Sequence, residues 1–158
     1  MSAITAGLST LGVRMSYGVE TTAGKKPESF LPLDRVNSIG GITLTPERID
    51  ASALEDYASR YVAGRSDTGG DWAVTFNFTD EVETELLAMI AAYKALTEGK
   101  RVWYQVSHPS MDKAFFIVAQ PPELLPMPEM GQNALLTIEV GFTIEEYKGR
   151  DAKVAITE

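Results

Sequence analysis

Three residues of types used in hydrolysis, Ser107, His108 and Asp112, lie close together in the sequence. In a hydrolase triad the histidine takes the proton of the serine, so the two side chains must meet. Ser107 and His108 are adjacent at the end of a predicted strand, where neighbouring side chains point to opposite faces. His108 is also the only histidine, which excludes a histidine-rich metal site. We therefore predict that His108 serves a turn and not catalysis.

The glycines and acidic residues do not form a recognisable binding site either. Gly64 and the pair Gly69-Gly70 lack the Lys-Ser/Thr pair of a phosphate-binding loop. Asp67 and Asp71 flank Gly69-Gly70, but two carboxylates are too few for a calcium-binding loop. The segment from Asp67 to Asp71 is better explained as a turn. The 22 acidic residues single out no pair for glycoside hydrolysis. The chain lacks cysteine, which excludes disulfides and thiolate metal sites. The sequence thus predicts no catalytic residue, cofactor or metal.

Length and charge narrow the remaining classes of protein. The 158 residues fit one domain, 1–158. The net charge of -8 opposes tight binding to nucleic-acid phosphates, which requires clustered Lys and Arg. We find no run of about 20 apolar residues that could span a bilayer, and no basic start followed by an apolar stretch as in a signal peptide. We therefore expect a protein made in the cytoplasm without a membrane partner.

Most of the chain has the alternating pattern of half-buried β-strands. Period-two alternation places apolar side chains on one face and polar ones on the other. In the first such segment Leu11, Val13, Met15 and Tyr17 share the apolar face. Gly40-Gly41 interrupts the second segment and predicts a bulge or bend there. We predict strands at 11–17, 35–45, 72–78, 102–106, 114–118 and 135–144.

One segment, at about 81–98, has helical spacing of its apolar residues. Asp80 can accept hydrogen bonds from the free N–H groups of the first turn, and Glu83 would complete a capping box. Gly99 would end the helix, because glycine readily takes the left-handed conformation required there. The sequence therefore predicts a mainly β (α+β) protein with one flanking helix.

The segment 44–71 is long and polar and lacks strand alternation. We expect a long loop, in which Ser52 and Glu55 could cap a short helix carrying Leu54, Tyr57 and Tyr61. These apolar side chains either fold back on their own sheet or dock on another subunit, and the sequence leaves both possibilities open.

A second stretch, 121–128, combines four prolines with Leu124 and Leu125. Proline fixes the backbone and removes a donor, so this stretch is not a central strand. It is either a stiff connector packed on the domain or a preformed apolar contact for a neighbour.

Three large aromatic residues, Trp72, Trp103 and Tyr104, lie within the alternating strands. This placement predicts that they belong to the core. The alternative is an exposed aromatic platform in a small carbohydrate-binding or hydrolytic β-sandwich domain.

An ordered set of segments resembles the major tail tube proteins of long-tailed bacteriophages and of gene transfer agents. The opening segment GLSTLGVRMSYG at 7–18 is followed by VETTAG and Pro27. The later matching segments are 39–42, 49–56, 61–70, 119–122 and 143–147.

The resemblance implies both a fold and a function. The fold would be two packed antiparallel β-sheets in a sandwich or barrel-like tail-tube arrangement, with the helix at about 81–98 on its flank. The loop at about 44–71 would reach toward an adjacent ring. The function would be that of a structural virion protein, which assembles into stacked hexameric rings and forms the hollow tail tube for DNA delivery. A type VI secretion or tailocin tube protein is the alternative of the same class.

The resemblance also implies partners and contact residues. The partners would be further copies of the chain, a tape-measure protein, and tail tip and terminator proteins. DNA would pass through the lumen without specific binding, in a virion tail assembled in the bacterial host cytoplasm. The net charge of -8 leads to the separate hypothesis that carboxylates line this lumen and repel the phosphates. The candidate residues for contact between subunits and rings are Leu54, Tyr57, Arg60, Tyr61, Arg65, Leu124 and Leu125.

Overall fold

The computed structural model describes residues 6–97 and 99–157, which form nine strands and one helix. The strands are β1 Arg14–Val19, β2 Leu31–Leu33, β3 Val36–Ile39, β4 Thr45–Asp50, β5 Tyr61–Asp67, β6 Asp71–Asn77, β7 Val102–Ser107, β8 Lys113–Gln120 and β9 Thr137–Ala152. The helix is α1 Asp80–Lys94.

Seven of the strands form one antiparallel sheet in the order β2-β1-β7-β8-β9-β6-β3. The long strand β9 pairs with β6 through its first half and with β8 through its second half. The rings of Trp72 on β6 and Tyr104 on β7 lie 5.9 Å apart, although β8 and β9 separate these strands in the sheet. The sheet therefore curls into two facing layers joined by β9. With the separate β4-β5 sheet and the single helix, this confirms the predicted mainly β sandwich-like fold.

The core lies between the two layers and under the helix. The alternation predicted for β6 is confirmed, because Trp72, Val74 and Phe76 are buried. The corresponding buried face of β9 continues this core, and α1 covers it with one apolar stripe. A smaller cluster on the other face of β7 and β8 contains Phe30, Trp103, Ala114, Phe116 and Val118.

The helix begins and ends earlier than the sequence predicted. Its N-cap is Thr79, whose extended backbone lets Oγ1 accept a hydrogen bond from the Val82 N–H at 3.3 Å. The predicted capping box of Asp80 and Glu83 is therefore wrong, and both acids instead lie in the first turn. There the carboxylates favourably face the positive end of the helix dipole. The helix ends at Lys94, so the predicted boundary near 98 is also wrong, and residue 98 itself lies outside the described residues.

Glycines account for two differences from the predicted strands. The first strand starts at Arg14 because Gly12 has a φ of 87° and turns the chain, which leaves Leu11 84% exposed. The second predicted strand is divided at the predicted break. The Gly40 N–H donates to the Ala73 carbonyl at 2.8 Å, and a Cβ at residue 40 would lie equally close to that oxygen. Only glycine allows this approach of the two backbones.

The segment 44–71 is a β-hairpin and not a structureless loop or a short helix. Strands β4 and β5 pair in antiparallel register from Thr45 opposite Asp67 to Asp50 opposite Tyr61. Every residue of β4 is exposed. A strand with solvent on both faces has no buried side to impose alternation, so its sequence lacks the usual signal.

Candidate assembly surfaces

The hairpin stands apart from the rest of the fold. We call residues 45–67 the arm and residues 51–60 at its end the tip. Within the described ranges, β4 and β5 pair only with each other. Apart from the half-buried Gly64, the residues of the two strands are exposed. The arm therefore has no packed layer behind it in the isolated chain.

Local hydrogen bonds give the tip a defined shape. The hydroxyl of Ser52 accepts from the Arg60 N–H at 2.8 Å, and Asp50 Oδ1 accepts from the Ser52 N–H at 2.9 Å. The hydrogen bonds from the Ser52 backbone and side chain lower the pKa of Asp50. Asp56 accepts from the Ala53 N–H at 2.8 Å and forms an ion pair with Arg60 at 3.2 Å. The tip is thus ordered by its own polar groups.

This turn presents apolar side chains to solvent. Leu54 and Tyr57 are 109% and 108% exposed, and Tyr61 on β5 is more than half exposed. Several large apolar side chains exposed within one short segment mark a candidate contact surface more strongly than a single exposed residue does. The structure places Leu54, Tyr57 and Arg60 together at the tip, while Tyr61 and Arg65 lie along β5. Their role in contacts between subunits stays a prediction.

The two candidates in the proline-rich stretch differ from each other. The stretch 121–128 contains no strand, as the sequence predicted. Leu124 is 80% exposed, whereas Leu125 is partly buried against the main core. Leu125 therefore contributes to its own fold, and Leu124 is the side chain available to a neighbour.

Glycine pairs lie on both sides of the base of the arm. Gly69 and Gly70 have φ values of 84° and 80°, which side chains rarely adopt. The Ile144 N–H donates to the Gly70 carbonyl at 2.8 Å, and Trp72 Nε1–H donates to the Gly40 carbonyl at 2.7 Å. These bonds attach both ends of the arm to the core sheet. The arm thus leaves the body at two fixed points.

An apolar cleft of about 260 Å³ opens beside this base. We call it the base cleft. The guanidinium of Arg150 lies 6.0 Å from the ring centroid of Phe115, one of the residues that line the cleft. Sequence reasoning missed this cleft, because its walls come from distant strands and no local pattern joins them. Its lining includes Ile39, Ile42, Trp72, Val106, Phe115 and Tyr147.

His108, first considered for catalysis, has a structural role. The Ser110 N–H donates to His108 Nδ1 at 3.0 Å, so the ring carries its proton on Nε2, which bonds the Ser9 carbonyl. His108 therefore holds the turn between β7 and β8, as the sequence predicted. Among the described residues no group of three or more His, Asp or Glu could hold a metal ion. In the same ranges we find no helix of the length and hydropathy needed to cross a membrane.

The large aromatic residues are buried, as predicted, and do not form an exposed platform for sugars. Trp72 and Tyr104 lie in the main core, and Trp103 lies in the smaller cluster. Trp103 Nε1–H donates to the buried carboxylate of Glu20 at 2.8 Å. The Arg101 N–H donates to the same carboxylate at 2.7 Å. Burial raises the pKa of the Tyr104 hydroxyl well above its usual range.

No protein-family model and no curated protein matches the sequence. Solved structures do match the fold. The sheath/tube terminator of an extracellular contractile injection system, PVC, in its extended state is 14% identical with a TM-score of 0.62, over 95% of this chain and 100% of that one. A chain from the tail of an empty GTA particle with C6 symmetry is 11% identical with a TM-score of 0.59, over 93% and 99%.

A third match comes from the baseplate of the anti-feeding prophage (AFP), at 11% identity and a TM-score of 0.51, over 94% of this chain and 96% of that one. At these identities the likeness concerns the fold alone. The chain therefore has the mainly β tail-tube fold that its sequence predicted, shared with these tail and injection-system structures.

Proposed function

We propose that this chain is the structural subunit of a phage tail tube, a single tail-tube domain over 1–158 that assembles into stacked hexameric rings. The observation that carries the proposal is the free-standing arm with its fully exposed apolar tip, on a fold shared with tail and injection-system structures. The proposed role is structural and uses no catalytic residue.

The arm gives a physical reason for self-assembly. A two-stranded hairpin is marginal in water unless a further surface packs on it. Burial of Leu54 and Tyr57 against another copy would remove both from water. A contact between two different surfaces of the same chain repeats from copy to copy, which produces closed rings or open stacks. The proposed contact residues are Leu54, Tyr57, Arg60, Tyr61 and Arg65 of the arm, together with Leu124 and the solvent-exposed part of the half-buried Leu125.

The two edges of the main sheet are unequal, which favours one of them for joining neighbours. Along β2 the Glu85 carboxylate accepts from the Asp34 N–H at 2.8 Å, and the Thr157 N–H donates to the Phe30 carbonyl at 2.8 Å. Pro32 between them has no donor. Edge β3 instead borders a cleft of about 320 Å³, whose other wall contains Thr10 and Val13, and no other described strand pairs with β3 on this side. Because an open edge attracts another strand, we propose that neighbouring sheets join along β3.

The charge of the chain fits a conduit for DNA. A net charge of -8 disfavours adhesion to phosphates, so a lumen lined by carboxylates would let DNA pass without specific binding. We place the tube in the virion tail, with a tape-measure protein and tail tip and terminator proteins as its partners. The tube of an injection system, such as a type VI secretion or tailocin tube, is the alternative, favoured by the match to a chain of a contractile injection system. A sheath gene beside the gene for this chain, without genes for a capsid that is filled with DNA, would favour this alternative.

Electron microscopy of the purified chain tests the proposal. We expect rings or tubes with a central hole in negative stain, and a light-scattering mass that rises with protein concentration. Six-fold averages of end views would support the hexamer. A chain that stays monomeric at every concentration up to its solubility contradicts self-assembly, whereas rings of another symmetry contradict only the hexamer.

A further inference from the structure

We propose that the tip of one copy binds the base cleft of a second copy. This inference rests on the proposed self-assembly and adds the surface that receives the arm. The tip is an exposed apolar projection and the base cleft is an exposed apolar hollow, and every copy of the chain has both.

The projection is presented in a fixed shape. Leu54 and Tyr57 lie within a turn whose two ends are joined by the hydrogen bond from the Arg60 N–H to Ser52 Oγ. The ion pair of Asp56 with Arg60 spans the same turn. Because the backbone of the turn is already ordered, little backbone conformational entropy is lost when the tip docks, and the entropic cost is mainly that of fixing the two side chains.

The base cleft has the size and polarity to accept these side chains. An apolar cavity of roughly 150 Å³ holds a benzene ring, and this cleft measures about 260 Å³. Its polar indole N–H, on Trp72, is already bonded to the Gly40 carbonyl at 2.7 Å. The wall that remains is apolar and suits Leu54 or the ring of Tyr57.

An acidic residue at the tip and a basic residue next to the cleft lining have opposite charges. Glu55 lies between Leu54 and Tyr57 at the tip and is exposed. Arg150 lies over the ring of Phe115, which lines the cleft. Opposite charges beside an apolar contact guide its orientation and accelerate association.

The tip does not occupy the cleft of its own chain, because Leu54 and Tyr57 are fully exposed. Strand β4 has six residues, and a strand rises by about 3.3 Å per residue, so β4 spans roughly 20 Å between the base of the arm and the tip. Ile42 in the cleft and Leu54 at the tip are twelve residues apart. A chain of that length spans at most about 40 Å, which limits the step between equivalent points in joined copies.

The absence of cysteine from the sequence allows a direct test by crosslinking. Leu54→Cys places one thiol at the tip. Gly41→Cys places one at the cleft, where an added Cβ meets no atom within 4 Å. The two purified variants, one carrying an affinity tag, are mixed at equal concentration and oxidised mildly. Leu87→Cys, on the exposed face of α1, replaces Leu54→Cys in the control mixture.

We expect the tagged heterodimer of Leu54→Cys and Gly41→Cys to form about tenfold faster than the control, because docking raises the effective concentration of the two thiols. Equal rates in a preparation that forms tubes overturn the inference and leave the proposed function standing. Equal rates without any assembly overturn both. A fast heterodimer without rings or tubes supports the tip contact and overturns the tube.

The charge pair gives an independent test. Glu55→Arg and Arg150→Glu should each slow assembly, and mixing the two variants should restore the tip contact between unlike copies. Failure of the mixture to assemble faster than either variant alone contradicts the proposed pairing. A measured distance well above about 40 Å between equivalent points of two joined copies also contradicts the proposed contact of tip and cleft.

Discussion

Replacement of Leu54 by glutamine should separate assembly from folding. Leu54 is 109% exposed, so the isolated chain loses no packing when its side chain becomes polar. Exposed substitutions of this kind change the free energy of unfolding by less than about 0.5 kcal/mol. In the assembled state the same side chain is proposed to lie in the base cleft of a neighbour.

The expected loss in assembly follows from this burial. Full burial of a leucine side chain stabilises by about 1.5–3 kcal/mol. Because the base cleft is open on one side, burial is incomplete and we take a value just below this range, about 1.4 kcal/mol, which corresponds to a tenfold change in the association constant. Adding Tyr57→Ser should remove a second contact of similar size, and the double variant should lose roughly a hundredfold if the two contacts are independent.

The assay determines the lowest protein concentration at which rings or tubes appear. It is measured by sedimentation and light scattering for the wild type, Leu54→Gln and the double variant. Thermal unfolding followed by circular dichroism reports the fold of each monomer. Leu87→Gln is the matched control, because it makes the same change on the exposed face of α1, outside the arm. We expect it to assemble as the wild type does.

Two results would refute this reasoning. The first is an assembly concentration of Leu54→Gln within about twofold of those of the wild type and Leu87→Gln. The tip is then not an apolar contact, since loss of a buried leucine must change the association constant by more than about twofold. If Leu54→Gln instead lowers the melting temperature of the monomer, the side chain packs on its own chain, contrary to its exposure.

Two further predictions concern the fold. Thr79→Ala should lower the free energy of unfolding by about 1 kcal/mol in urea titrations, through loss of the helix cap, whereas Asp80→Ala should cost only about 0.3 kcal/mol through the helix dipole. Equal effects would contradict the cap assignment. The pKa of Glu146 is lowered, chiefly by its hydrogen bond from Lys148 and also by Arg101, so its contribution to stability is present above the pKa of the unfolded chain and is lost as pH falls through the lowered pKa. Glu146→Gln should therefore unfold at lower urea than the wild type near neutral pH and at the same urea below that pKa, and a difference that persists in acid would contradict this origin.

The sequence predicted strands well where one face is buried. Along β6 and the first half of β9, packing imposed alternation that is visible in the residues themselves. The helix was found from its apolar spacing, but its ends were not. Thr79 and Asp80 are both good caps, and only the backbone conformation decides between them. The arm was mistaken for a loop, because solvent on both faces leaves no pattern to read.

The tip residues of the candidate surface could be proposed from the sequence, whereas the base cleft could not. Leu54 and Tyr57 attracted attention as apolar residues in a polar stretch, a signal that is local. The cleft joins Ile42, Phe115 and Tyr147, which are neighbours only after the sheet has curled. No local sequence pattern predicts that these three residues lie side by side.

The sequence alone thus determined the strand-rich core, the single helix and the lack of a recognisable catalytic constellation, since each depends on short-range periodicity or residue type. The tertiary structure decided that segment 44–71 projects as a hairpin, that β2 and β3 are the two edges of the main sheet, and that an apolar hollow lies beside the arm. These features depend on which distant strands pair and on how far β9 bends the sheet. Long-range hydrogen bonding and burial fix both, and neither is encoded at a single position.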